Sequence, residues 1–118
     1  MAIEGAPVHW LSKEARRRII ELMLSSRSVS ELSALLGVSR TAIRKYVSGE
    51  THPSDEVMAR ALGALAPYEA EAALRIMMED LAGALERLHE VLPDNLKAEL
   101  RKIVTGALRL EEAAAGHR

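Results

Sequence analysis

Between Ser39 and Ser48 the chain places Arg40, Thr41, Arg44, Lys45 and Ser48 at intervals that share one side of a helix. At about 100° per residue, Ala42, Ile43, Tyr46 and Val47 fall in the opposite, packing arc. The chemistry on offer in the polar arc is hydrogen bonding and charge pairing, not bond breaking. A guanidinium presents a fork of donors that meets two acceptors at once, as on a guanine edge, whereas hydroxyls and ammonium groups suit single oxygens. Arg40 and Arg44 are therefore the first candidates for base edges in a DNA groove, Thr41 and Lys45 come next, and Ser39 and Ser48 are placed on phosphate.

Nothing else in the chain offers reactive chemistry. His9, His52, His89 and His117 lack metal-ligand spacing, and no cysteine supplies a thiolate or a disulfide. No glycine-rich phosphate loop or nucleophile motif is present. Glu79 and Asp80 are adjacent carboxylates, but helix neighbours diverge by about 100° and do not face one substrate. These residues predict no catalytic site, no metal and no cofactor, and hence a protein that is not an enzyme.

The polar arc needs a scaffold, and the sequence around it supplies one. Val29 to Gly49 reads as two short helices joined by a tight turn. Gly37 sits where a left-handed residue ends the first helix, a conformation that glycine adopts cheaply. Val38 then turns back toward the core, and Ser39 is placed to cap the second helix. Leu32, Leu36, Val38, Ile43 and Tyr46 form the apolar set that fixes the angle between the helices, and Ser33 is small where the two cross. This is a helix-turn-helix, with Arg40 to Ser48 as its recognition helix.

The flanking segments extend the pattern. Ser12 is placed to cap a helix running to Leu24 or Ser25, with Ala15, Ile19, Leu22 and Met23 as its apolar stripe. Arg16, Arg17 and Arg18 splay around that helix, so at most one or two of them reach a phosphate. After a loop from Gly49 to Pro53, which includes His52, Ser54 caps a further helix. Asp55 and Glu56 complement its dipole, and Val57, Met58, Ala61, Leu62 and Leu65 form its buried face.

With Leu32-Ser33, Gly37-Val38-Ser39-Arg40, Ile43, Gly49, Pro53-Ser54 and Ala61-Leu62 in place, residues 12–65 resemble the Cro- and repressor-type helix-turn-helix family, the XRE family. The resemblance implies a domain of four or five helices that binds operator DNA as a dimer. Two positions depart from it. Val29 stands where many members carry a glutamine that touches DNA, and Val47 stands where many carry a glutamate. The fold tolerates both changes, but operator preferences of relatives do not carry over.

Composition agrees with an all-α chain. Of 118 residues, 48% are hydrophobic, yet Phe is absent and Trp10, Tyr46 and Tyr68 are the only aromatics, so alternating strand patterns are missing. No run approaches the roughly 18 apolar residues of a membrane span, and the start lacks a secretory pattern, which predicts a cytoplasmic protein. The net charge of −1 is unevenly spread: residues 1–66 carry +2 and residues 67–118 carry −3. Such a modest basic excess points to binding through dimerisation and local contacts rather than a strong overall field.

Ala66-Pro67 marks a boundary, since proline is accepted in a first helical turn but not inside a helix. Beyond it, Leu74, Met78, Leu81, Leu85, Leu88 and Leu92 recur at alternating intervals of four and three, to about Val91 as one long helix. Leu92-Pro93-Asp94 makes a turn with Asp94 as a cap, and Leu96, Leu100, Ile103, Ala107 and Leu110 continue the spacing. The two seams predict an antiparallel two-helix hairpin. The expected organisation is thus an arm over residues 1–11, anchored by Trp10, a DNA-binding domain over residues 12–66, and a hairpin over residues 67–118. The hairpin is expected to dimerise through Leu74, Met78, Leu81, Leu85, Leu88, Leu100, Ile103 and Leu110, the alternative being that it packs on the motif domain of its own chain. The expected partners are double-stranded DNA and a second copy of the chain. The rival reading is a protein-interaction module, such as an antitoxin or a replication or partition accessory protein, whose hairpin holds another protein.

Overall fold

The computed structural model describes residues 3–109, which form six helices and no strand: α1 (Lys13–Leu24), α2 (Val29–Leu36), α3 (Arg40–Ser48), α4 (Asp55–Gly63), α5 (Pro67–Val91) and α6 (Asp94–Leu108). The fold is all-α, as the composition predicts. The chain divides into two compact units between Leu81 and Ala82, so α5 begins in the first and ends in the second.

Four serines set the helix starts of the first unit. Ser12, Ser28, Ser39 and Ser54 each adopt extended backbone and accept the N–H of the residue three further on, at 3.0–3.2 Å. Each cap satisfies an otherwise orphaned donor and stabilises its helix by about 1 kcal/mol. At Ser28 the cap is reciprocal, because Glu31 also accepts the Ser28 N–H at 3.1 Å. That bond and the Ser28 hydroxyl hold the Glu31 carboxyl below its ordinary range. Asp94, expected as a cap, is instead the first residue of α6; the cap position is Pro93, which has no side-chain donor or acceptor to offer.

The core of the first unit has two apolar clusters. One joins Ile20 and Met23 of α1 to Leu32 and Leu36 of α2, Ile43 and Tyr46 of α3, and Val57 and Ala61 of α4. The other joins Ala15 and Ile19 to Met58, Leu62, Ala73, Ile76 and Met77. Ile19, Ile20, Met23, Leu32, Leu36, Ile43 and Met58 are fully buried, and each such side chain contributes about 1.5–3 kcal/mol of transfer free energy.

From Ile3 onward the expected N-terminal arm packs against the core. Ile3, Val8 and Leu11 are buried in the second cluster, with Trp10 half-buried against it. The reason is Arg16, the first residue of the basic triplet. It is 6% exposed and donates to the carbonyls of Leu11, Pro53 and Val8, each at 3.0 Å. It also pairs with Asp55 at 2.8 Å. The other two members are engaged at the surface, Arg17 with Glu14 and Arg18 with Glu79.

α5 runs back along α1. At its start Glu69, 1% exposed, accepts from the Arg27 guanidinium at 2.7 and 2.8 Å, from the Ser26 hydroxyl at 3.0 Å and from the Ala66 N–H at 2.8 Å. Eleven residues on, Asp80 reaches Ser12 at the start of α1. The adjacent carboxylates Glu79 and Asp80 thus bind two different partners, as their angular separation requires.

In the second unit, the end of α5 and α6 flank a groove of about 500 Å³ lined by Leu85, Glu86, His89, Glu90, Leu100, Arg101, Val104 and Thr105. No residue between 82 and 109 is buried.

Candidate nucleic-acid interface

The recognition helix α3 is held from behind and bare in front. Ile43 is fully buried and Tyr46 8% exposed, both in the cluster shared with α2 and α4. Gly37 has φ +67° and ends α2, so the chain turns within three residues from Leu36 to Arg40. The joint is braced twice more. The Ser33 hydroxyl donates to the Val38 carbonyl, and Arg60 of α4 donates to the Leu36 carbonyl at 2.8 Å, closing the last turn of α2. Gly49, with φ +80°, ends α3.

All six residues expected on the polar arc, Ser39, Arg40, Thr41, Arg44, Lys45 and Ser48, are solvent-exposed. Val47, assigned to the packing arc, lies at its edge and is 36% exposed. A nine-residue helix docked on two others needs only Ile43 and Tyr46 to fill the joint. The six polar side chains are not equivalent. The Ser39 oxygen accepts the Ala42 N–H, leaving its O–H free to point outward. The Ser48 hydroxyl donates to the Lys45 carbonyl at 3.1 Å and so is committed within its own helix. Arg40 makes only a long contact, 3.4 Å, with the Ser30 hydroxyl.

Charge pairing separates the arginines of this surface from the other arginines of the unit. Arg16, Arg17, Arg18, Arg27, Arg60 and Arg75 each hold a carboxylate within ion-pair distance. Among the described residues Arg40, Arg44 and Lys45 hold none. Three cations without carboxylate partners therefore share one face of a rigidly mounted helix, with the positive end of its dipole at Ser39.

That geometry agrees with comparison to known families: a helix-turn-helix family model of the XRE type matches residues 15–66. Residues 15–66 are a helix-turn-helix domain. No curated protein and no solved structure matches the chain. The family whose model matches is a DNA-binding regulatory one, generally non-enzymatic. No described helix is long and apolar enough to cross a membrane.

Around the helix-turn-helix, sequence reasoning missed several residues that support the fold. The Ser28–Glu31 capping box was legible as Ser-x-x-Glu ahead of an apolar run. Arg16, Arg27 and Arg60 carry no such signal, because their acceptors lie on other elements. His52, in the loop after α3, is exposed and has no hydrogen-bond partner among the described residues.

The hairpin residues expected at a dimer contact fall into three groups. Leu74 packs against the core of the first unit. Leu85 and Leu100 are half-buried along the groove. Met78, Leu81, Leu88 and Ile103 are exposed, at 67, 47, 46 and 60%. Leu110 lies outside the described residues.

Proposed function

We propose that the protein binds double-stranded DNA sequence-specifically as a homodimer and regulates transcription, with residues 12–66 reading DNA and residues 67–118 dimerising. The observation that carries this reading is the set of unpaired cations Arg40, Arg44 and Lys45 on the exposed face of α3. The helix enters the major groove by its N-terminal end. Arg44 and Arg40 read acceptors on guanine, Thr41 and Lys45 contact neighbouring positions, and the free O–H of Ser39 donates to phosphate. Ser48 contributes less, since its hydroxyl is already engaged. The reading includes a cytoplasmic location and no catalytic step.

Selection of bound duplexes from a random pool, followed by titration of the enriched site, tests it. A dimer making several phosphate contacts loses about 10³ in affinity between 50 and 200 mM salt. Arg44→Ala should cost about 1–3 kcal/mol on the selected site and relax preference at one base pair. Failure to enrich any sequence, or an Arg44→Ala protein that binds selected and random duplexes as the parent does, overturns the assignment.

A further inference from the structure

Beside the end of α3 lies a cleft of about 170 Å³, lined by Lys13, Glu14 and Arg17 of α1, by Tyr46 of α3, and by Gly49 and Thr51 just after it. Tyr46 makes it more than a gap between surface side chains. The residue is 8% exposed and packs in the core cluster shared by α1 to α4. Its hydroxyl has no hydrogen-bond partner among the described residues, yet it is not sealed from solvent, so it opens at the cleft. A buried tyrosine normally finds a partner for its O–H. Arg17 repeats the pattern: its Nε is enclosed without a hydrogen bond, the Glu21 carboxylate standing off at 3.6 Å. Donors left unpaired in this way are rare in folded proteins, and two of them flank one cleft.

The charges indicate what fits. Lys13 holds no carboxylate among the described residues, and neither its ammonium nor the Thr51 hydroxyl makes a hydrogen bond there. Glu14 is already engaged by Arg17 at 2.7 Å. The carbonyls at the end of α3 are satisfied too: that of Tyr46 accepts the Gly49 N–H at 3.2 Å, and that of Lys45 accepts the Thr51 N–H at 3.3 Å. What remains is an ammonium, a guanidinium and two hydroxyls, all able to donate, beside the positive end of the α1 dipole. Such a set takes an oxyanion. The exposed Lys45 and Ser48 are sequence neighbours of Tyr46 and Gly49, so the anion nearest the cleft when α3 lies on DNA is a phosphate. We propose that this cleft binds a phosphate group, held by Lys13, Arg17 and the hydroxyls of Tyr46 and Thr51. Two sources share that chemistry: a backbone phosphate of DNA, which rests on the DNA-binding reading above, and free phosphate, which does not.

The full-length protein and its Lys13→Gln and Tyr46→Phe variants test the site. Tyr46→Phe keeps the ring in the core and removes only the hydroxyl, so its urea midpoint should equal the parent's; a lowered midpoint marks a structural hydroxyl and overturns its assignment. Inorganic phosphate, titrated at constant ionic strength against chloride, should shift the Gly49 and Thr51 N–H resonances of the parent saturably, and about tenfold more weakly in either variant. On duplex DNA each variant should bind about tenfold more weakly at low salt whatever the sequence. Lys13→Gln should also lower the log–log salt slope by about one. Losses on duplex assign the site to the DNA backbone, whereas a phosphate response with duplex affinity unchanged assigns it to free phosphate. A parent that responds to phosphate but binds no duplex overturns the DNA-binding reading and leaves the site standing. Shifts that chloride reproduces or that persist in both variants, with duplex affinity unchanged, overturn the site, as does a folded parent without phosphate response whose variants bind duplex as it does.

Discussion

Asp80 of α5 accepts from both the backbone N–H and the hydroxyl of Ser12, 68 residues earlier in the chain, with the N–H bond at 3.0 Å. Ser12 in turn caps α1 by accepting the Ala15 N–H at 3.0 Å. One carboxylate therefore orients the residue that starts the first helix of the helix-turn-helix unit. The proximal part of α5 is a structural member of that unit, through this bond and through Ala73, Ile76 and Met77 in its core.

Asp80→Ala should destabilise the protein by about 1–3 kcal/mol, the cost of leaving a half-buried donor without its acceptor. Urea denaturation monitored by circular dichroism measures it. Glu79→Ala, which removes only an exposed partner of Arg18, should change stability by about 1 kcal/mol or less.

Glu69 and Arg27 form the buried ion pair of the fold. Hydrogen bonds from the Arg27 guanidinium, assisted by the Ala66 N–H and the Ser26 hydroxyl, hold the Glu69 carboxyl below its ordinary range against the opposing effect of burial. A carboxyl lowered on folding adds stability above its unfolded value, about 4.3, and loses it as pH falls through the folded value. Thermal unfolding of the parent should therefore weaken below about pH 4.5, as should the contribution of the Glu31 capping box, lowered by the Ser28 N–H. Glu69→Gln should cost about 3 kcal/mol at neutral pH by leaving Arg27 uncompensated. Its deficit relative to the parent should shrink in acid.

Two glycines should respond in opposite senses to alanine. At Gly37 the backbone has φ +67° and an added Cβ would lie 3.3 Å from the Arg60 guanidinium. Gly37→Ala should lose about 1–2 kcal/mol. Gly106 lies inside α6 with nothing within 4 Å of an added Cβ. Gly106→Ala should raise helicity and gain about 0.5–1 kcal/mol. Circular dichroism with denaturant titration separates the two.

Lys45→Ala should weaken binding to all duplexes alike and lower the steepness of the salt dependence by about one unit in log–log form, the mark of a lost phosphate contact. Arg44→Ala should act on selected duplexes above all. Titrations of both variants at several salt concentrations distinguish the roles.

The sequence by itself determined the helix-turn-helix and the exposed polar face of its second helix. Glycines at 37 and 49, serine caps at 12, 39 and 54, and the spacing of Ile43 and Tyr46 are signals that act within one or two turns. Each can be read from neighbours along the chain. Tertiary structure alone decided the fate of the charged and long apolar residues. Arg16, Arg17 and Arg18 look alike in sequence, yet only Arg16 is buried, because the carbonyls of Val8, Leu11 and Pro53 converge on it. Likewise Leu74, Leu85 and Leu88 share one heptad-like stripe but meet the core, a groove and open solvent in turn. A repeat fixes which face of a helix is apolar. What that face meets depends on elements far away in the chain, whose arrival no local spacing records.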